Sequence, residues 1–266
     1  MSIANFVWAA VSVALSLTVL TRGVVGIAGA EGCGTDPGTI QTDRPDVTNS
    51  SIVVPNGTLQ VENGINLTGR RAARIVDGTN SRIRLGVADC VELLVDLPNY
   101  LHSLGGEGPT GFSDTAPAVK IQLPPLPGDI VLSATAGLGL PTGASRISGN
   151  GVNPYLQFPW SREIAGGWGL SGMLTQFWFS GQSNSDVLRE ATLVVQREIG
   201  PTADLFIEYV GDYPNHGGPT QSINSGGAYR FGGAQQIDFH LSFGLNKSAP
   251  AYIFGVGYSV RFDRIF

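Results

Sequence analysis

The last sixteen residues, 251–266, run AYIFGVGYSVRFDRIF. Tyr252, Phe254, Val256, Tyr258, Val260 and Phe262 take alternate positions, and Ile253, Gly255, Gly257, Ser259, Arg261 and Asp263 fall between them. A strand throws successive side chains to opposite faces, so one face here is aromatic and aliphatic and the other mostly small or charged. Such a strand exposes a long apolar surface and, unless paired on both sides, a free edge. A sheet closed on itself within lipid resolves both problems. The soluble alternative, the final strand of a secreted β-sandwich, has to bury that apolar face in a protein core.

Composition favours strands over helices. The chain has 266 residues, 42% apolar and 14% charged, with 37 Gly and 16 Pro. Many turn-forming residues and few charges suit a β protein with tight turns. The formal net charge of −5, with no basic run, argues against a nucleic-acid partner.

The amino terminus reads as a targeting segment. Ile3 to Leu20 is an apolar run about as long as a bilayer requires, and Ala28-Gly29-Ala30 follows as a small-x-small cleavage pattern. The expectation is a signal peptide over 1–30, cleaved near Ala30, and export to a Gram-negative outer membrane. An uncleaved inner-membrane anchor is the alternative, because no Lys or Arg precedes the run. Residues 31–57, rich in Gly, Pro, Asp, Asn and Thr without periodicity, read as a periplasmic leader or plug. The barrel is expected over 58–266.

From Thr58 onward, segments of roughly ten residues alternate and are separated by turn signals, which predicts an all-β antiparallel transmembrane barrel of about twelve strands. The face opposite the apolar one would be the lumen. It carries Glu62 on the first strand, Arg82 and Arg84 on the second, Glu92 and Asp96 on the third and Lys120 on the fourth. Later strands add Asp204 and Glu208, Arg230, Asp238 and His240, and Arg261 and Asp263. These charges would either ring an open solute path or fill a blocked lumen with mutual ion pairs. The segment around Asn153–Trp160 is the weakest strand, because Pro154 and Pro159 interrupt it. Gly69–Asn80 and Asn99–Gly111 are expected to be long external loops, and links such as Gly200-Pro201 short periplasmic turns.

In the leader, Arg44 between Asp43 and Asp46 is a plug candidate reaching into the lumen; a turn capped by Asp43 is the alternative. Cys33 in the leader and Cys90 after the second strand would meet at the periplasmic rim, in a compartment where a disulfide persists; otherwise both remain thiols. His240 shares a face with Asp238 and Ser242, but adjacent positions on one strand do not form a nucleophile–base–orienter array. No enzyme, cofactor or metal site is expected.

Several motifs together resemble an outer-membrane family named for transport in the MetA pathway of phenol degradation. They are Thr42-Asp43-Arg44-Pro45-Asp46, Val54-Pro55-Asn56-Gly57 before Gln60-Val61-Glu62, Arg84-Leu85-Gly86-Val87 before Val91-Glu92-Leu93, and Leu140-Pro141-Thr142-Gly143. The resemblance implies a channel or facilitated transporter for small solutes, hydrophobic or aromatic ones among them. The terminal Phe266 resembles the signal read by the barrel assembly machinery, which makes that machinery, outer-membrane lipid and a small solute the expected partners. The rivals are a structural or adhesive barrel with a blocked lumen, and the soluble sandwich.

Overall fold

The computed structural model describes residues 33, 38–70, 73–105, 108–180 and 186–266. The expected signal peptide lies outside the described residues. Those residues contain fourteen strands and no helix. In chain order they are β1 (Leu59–Arg70), β2 (Ala73–Ala88), β3 (Val91–Asp96), β4 (Tyr100–Leu104), β5 (Gly111–Phe112), β6 (Ala116–Gln122) and β7 (Val131–Gly139). Then follow β8 (Asn153–Ile164), β9 (Trp168–Phe179), β10 (Asp186–Ile199), β11 (Ala203–Pro214), β12 (Thr220–Phe231), β13 (Gln235–Gly244) and β14 (Tyr252–Phe262).

Twelve of these form a closed antiparallel barrel, and β4 and β5 extend it as a side ribbon. Closure is made by β1, which pairs with β2 on one side and with β14 on the other, from Leu59 opposite Phe262 to Gly69 opposite Tyr252. Beyond β14, the Ile265 N–H donates to the Gly57 carbonyl at 2.8 Å, so the last residues also lie against the start of β1.

Burial is inverted relative to a soluble protein. Leu174, Ile207 and Phe239 are at least half exposed, whereas Glu62, Arg84, Glu92 and Glu208 have no exposure at all. Apolar side chains that face outward all round a closed ring require lipid, and the buried charges require a polar interior. This excludes the soluble sandwich, whose core would be apolar.

Three sequence expectations change against the structure, two by correction and one, the expected strand around Asn153–Trp160, by extension. Gly69–Asn80 is not a loop: β2 begins at Ala73 and pairs with β1 from Arg70–Ala73 onward. A single strand serves two partners, with Arg82–Ala88 beside β3 and Arg74–Gly78 beside β4. The supposed loop over Asn99–Gly111 likewise contains β4 and ends in β5. Second, the Pro-containing segment is a full strand of twelve residues, β8. Its ladder with β9 is unbroken from Tyr155 to Ile164, while the ladder with β7 passes from Trp160 to Gln157 without pairing Pro159. The missing proline donor therefore disturbs only one neighbour. Third, Asp263 lies past the end of β14, exposed, and pairs with Arg261 at 2.8 Å, so it is not on the lumen wall.

Candidate functional site

The site is the barrel lumen together with the leader that enters it. The leader is tied to the short-turn end twice. Cys33 is disulfide-bonded to Cys90, beside the β2–β3 turn, and the Ile40 N–H donates to the Gly233 carbonyl in the β12–β13 turn at 2.8 Å. It then rises into the lumen over residues 42–51 and returns to the same end, where the Gly57 N–H donates to Gly86 O at 3.0 Å. The chain has no periodic face here because its partners are side chains of the wall and not another strand.

Those partners form a dense charged cluster on one side. The Asp43 N–H donates to both oxygens of Glu62, at 3.1 and 3.0 Å. The Asp43 carboxylate receives Arg82 at 2.9 Å, Arg84 at 3.3 Å and Lys120 at 3.4 Å. Arg84 also reaches Glu62 at 3.2 Å and Glu92 at 3.0 Å, and donates to the leader carbonyls of Gln41 and Ile52. Lys120 meets Glu92 at 3.4 Å, and Arg82 meets Asp96 at 2.6 Å. Burial opposes the charged form of Asp43, but the surrounding cations, Arg84, Lys120 and Arg82, outweigh it and hold the carboxyl well below the usual carboxylate range.

The opposite side holds the leader differently. Glu208 accepts from Val47 N–H at 2.9 Å, Thr48 N–H at 2.8 Å, the Thr48 hydroxyl at 2.7 Å and the Asn224 amide at 2.9 Å. No cation takes part among the described residues. Asn49 donates to Gln157 at 3.0 Å, which anchors the leader to β8.

Arg44 does not pair with its sequence neighbours Asp43 and Asp46. It crosses the lumen to Asp238 on β13 at 3.3 Å. Gly64 and Gly257 make that crossing feasible, since a Cβ at either would sit within 2.7 Å of the guanidinium. Among the described residues the lumen holds three cavities, two of which meet residues 43–49. Two lie at the long-loop end. One, of about 390 Å³, is lined by Arg44, Pro45, Asp46, Asn49 and the Arg82–Asp96 pair. The other, of about 470 Å³, shares that pair and has an aromatic wall of Tyr155, Phe177 and Phe179. The third, of about 190 Å³, lies at the short-turn end beside Asp204, Arg230 and Gln196, and is again bounded by Arg44, Pro45, Asp46 and Asn49.

Apart from Asp263, the expected lumen residues are on the inner wall, but in different settings. Glu62, Arg82, Arg84, Glu92, Asp96 and Lys120 form one network with Asp43, while Asp204 pairs only with Arg230 near the turns. Arg261 donates to Gly38 O at 2.9 Å and helps seat the leader. His240 has its ring nitrogens 3.2 Å from the amide oxygens of Asn224 and Asn66, and neither contact involves Asp238 or Ser242, so no triad is assembled. Among the described residues no three His, Cys, Asp or Glu side chains gather as metal ligands. Sequence reasoning missed Glu190 and Asp212, which face one another across β10 and β11. It also missed the aromatic wall. Extending the alternating register through β8, β9, β10 and β11 would have placed all of them inward.

A family model described as "Putative MetA-pathway of phenol degradation" matches residues 42–262. The chain belongs to that family. The match begins at the leader segment that enters the lumen and ends with β14, so it covers that segment and the barrel together. Among solved structures, an outer membrane channel from Pseudomonas putida F1 is similar in fold, with a TM-score of 0.63 at 15% identity, covering 84% of this chain and all of that one. The NanC porin is similar at a TM-score of 0.54 and 10% identity, covering 76% of this chain and 98% of that one. No curated protein sequence gives a match. The fold is that of outer-membrane barrels, and the outer membrane is where this family member resides.

Proposed function

We propose that the protein is a passive outer-membrane channel for small solutes, in which the disulfide-tethered leader forms the constriction. One observation carries the reading: cavities at both ends of the lumen meet the same four residues, Arg44, Pro45, Asp46 and Asn49. A solute entering from the long-loop end reaches the periplasmic side by passing or displacing that segment. The aromatic wall supports small rings as cargo. Tyr155 and Phe177 lie 5.7 Å apart and tilted, and Phe177 and Phe179 lie 6.2 Å apart and stacked, a surface on which a planar solute can pack. The family description, naming phenol degradation, agrees with that chemistry. In this reading Glu62, Arg82, Arg84, Glu92 and Lys120 hold the septum, and Asp43 is its main anchor.

The competing reading is a barrel with a blocked lumen, which the completely buried cluster around Arg84 favours. Planar-bilayer conductance decides between them. A channel conducts, and deleting residues 38–49 enlarges its unit conductance. Absence of conductance from the intact protein, with large openings after the deletion, would instead identify a sealed barrel.

A further inference from the structure

The charges along the solute path are unequal in number and in partnership. Together the three cavities are lined by eight carboxylates and four guanidiniums. Three of those four cations are already bound: Arg44 to Asp238, Arg82 to Asp43 and Asp96, and Arg230 to Asp204. Farther along the wall, the buried Arg84 and Lys120 pair with Asp43, Glu62 and Glu92, and counting them together with Glu92 and Asp238 gives ten carboxylates to six cations. The excess is therefore acidic. Asp46 occupies the segment shared by the cavities at the two ends, and it makes no ion pair among the described residues. Glu208 stands on the same side with only neutral donors, and above it Glu190 and Asp212 sit directly opposite each other, close enough to share one proton, with the Thr175 hydroxyl 3.2 Å from Glu190. A narrow passage lined by charge of one sign concentrates counter-ions and excludes co-ions.

We infer that the path is cation-selective, admitting small cations and neutral molecules over anions, and that Asp46 is the residue that sets the preference. The inference rests on the channel reading above. A solute carrying an ammonium group beside an aromatic ring would satisfy both the acidic septum and the aromatic wall, through charge attraction and stacking. Free carboxylates and phosphates would be disfavoured at the constriction. Burial and the nearby Glu208 carboxylate push the Asp46 carboxyl well above its ordinary range, and Asp204 and Asp43 add to that push. Its proton is thus released only as pH rises, and the preference for cations strengthens in the same direction.

The test is the reversal potential of the full-length mature protein in planar bilayers under a KCl gradient. The intact channel should favour K⁺ over Cl⁻. At a pH high enough to ionise Asp46, Asp46→Asn should lower the permeability ratio by about fourfold, the factor one unit charge exerts at ~5 Å in water. Two further readouts guard against a variant that does not assemble. Glu198→Gln, an exposed change at the short-turn end, should lower the ratio less, and the intact protein's ratio should rise with pH. Preference for Cl⁻, or a ratio unchanged in Asp46→Asn, overturns the inference while leaving the channel intact. A ratio independent of pH removes Asp46 from the role. Absence of any conductance would overturn the channel reading itself and this inference with it.

Discussion

Two walls of one lumen hold the same leader by different chemistry. On β1, β2, β3 and β6, Arg82, Arg84 and Lys120 interlock with Asp43, Glu62, Glu92 and Asp96, so each charge meets its opposite. On β10, β11 and β12, Glu208 is satisfied by backbone amides, a hydroxyl and an amide side chain, and no base approaches Glu190 or Asp212 within ion-pair distance among the described residues. A neutralised buried network fixes position, because any partner removed leaves a charge stranded. On the second wall, dipoles and a proton shared by Glu190 and Asp212, with no cation among the described residues, satisfy the carboxylates. The first wall anchors the leader through charge pairs; the second holds it without cations.

The largest effect should come from breaking the anchor. Arg84→Ala leaves Glu62 and Glu92 without their guanidinium and strips two leader carbonyls of a donor. Stranding buried charge costs about 3–5 kcal/mol. The expected outcome is a barrel that loses heat-modifiable migration on gels or unfolds at markedly lower urea. Migration and unfolding unchanged from the parent would show that the cluster is not what fixes this wall.

The next effect tests whether inner and outer faces are as assigned. Leu241 on β13 is exposed toward lipid, and its neighbour Ser242 is buried toward the lumen. Leu241→Arg places a cation in the hydrocarbon layer at about 2–4 kcal/mol near the midplane, so assembled protein in outer membranes should fall. Ser242→Arg should assemble and, by adding a cation beside the acidic wall, reduce K⁺ preference. The opposite pair of results would mean the register is shifted by one residue.

Much of this comparison was legible before the fold was known, and its limits have physical causes. Period-two alternation places Glu62, Arg84, Glu92, Lys120 and Glu208 on one face without any tertiary information, because the pleat alone fixes it. Alternation also located the closing strand, since β14 had to find β1. What alternation cannot supply is which inward charges meet. Arg44 pairs with Asp238, 194 residues away, because barrel closure brings β13 and β14 beside β1, where Gly64 and Gly257 leave room for its guanidinium. The strand content of Gly69–Asn80 was hidden by its polar residues, among them Arg74, Asp77 and Asn80, which line an end of the barrel where neither face is strictly apolar. The proline pair leaves the expected strand β8 intact for a local reason, since its cost depends on which neighbour loses a donor.

The smallest effect probes the carboxylate wall without disturbing the anchor. Glu208→Gln keeps the shape of the side chain but turns one acceptor oxygen into an amide donor. In the parent, one oxygen takes the Thr48 N–H and hydroxyl, and the other takes the Val47 N–H and the Asn224 amide. Whichever way the glutamine amide is turned, two donors meet a donor, and losing such contacts costs about 1–3 kcal/mol. The barrel ladders of β11 with β10 and β12 use backbone groups only, so global unfolding should move little. Residues 47 and 48 should detach while Asp43 stays clamped, giving faster amide exchange at Val47 and Thr48 and noisier conductance. K⁺ preference should also fall, since a fixed negative charge has been removed from the same wall. Exchange at both amides equal to that of the parent would mean that the leader is held by the charged cluster alone.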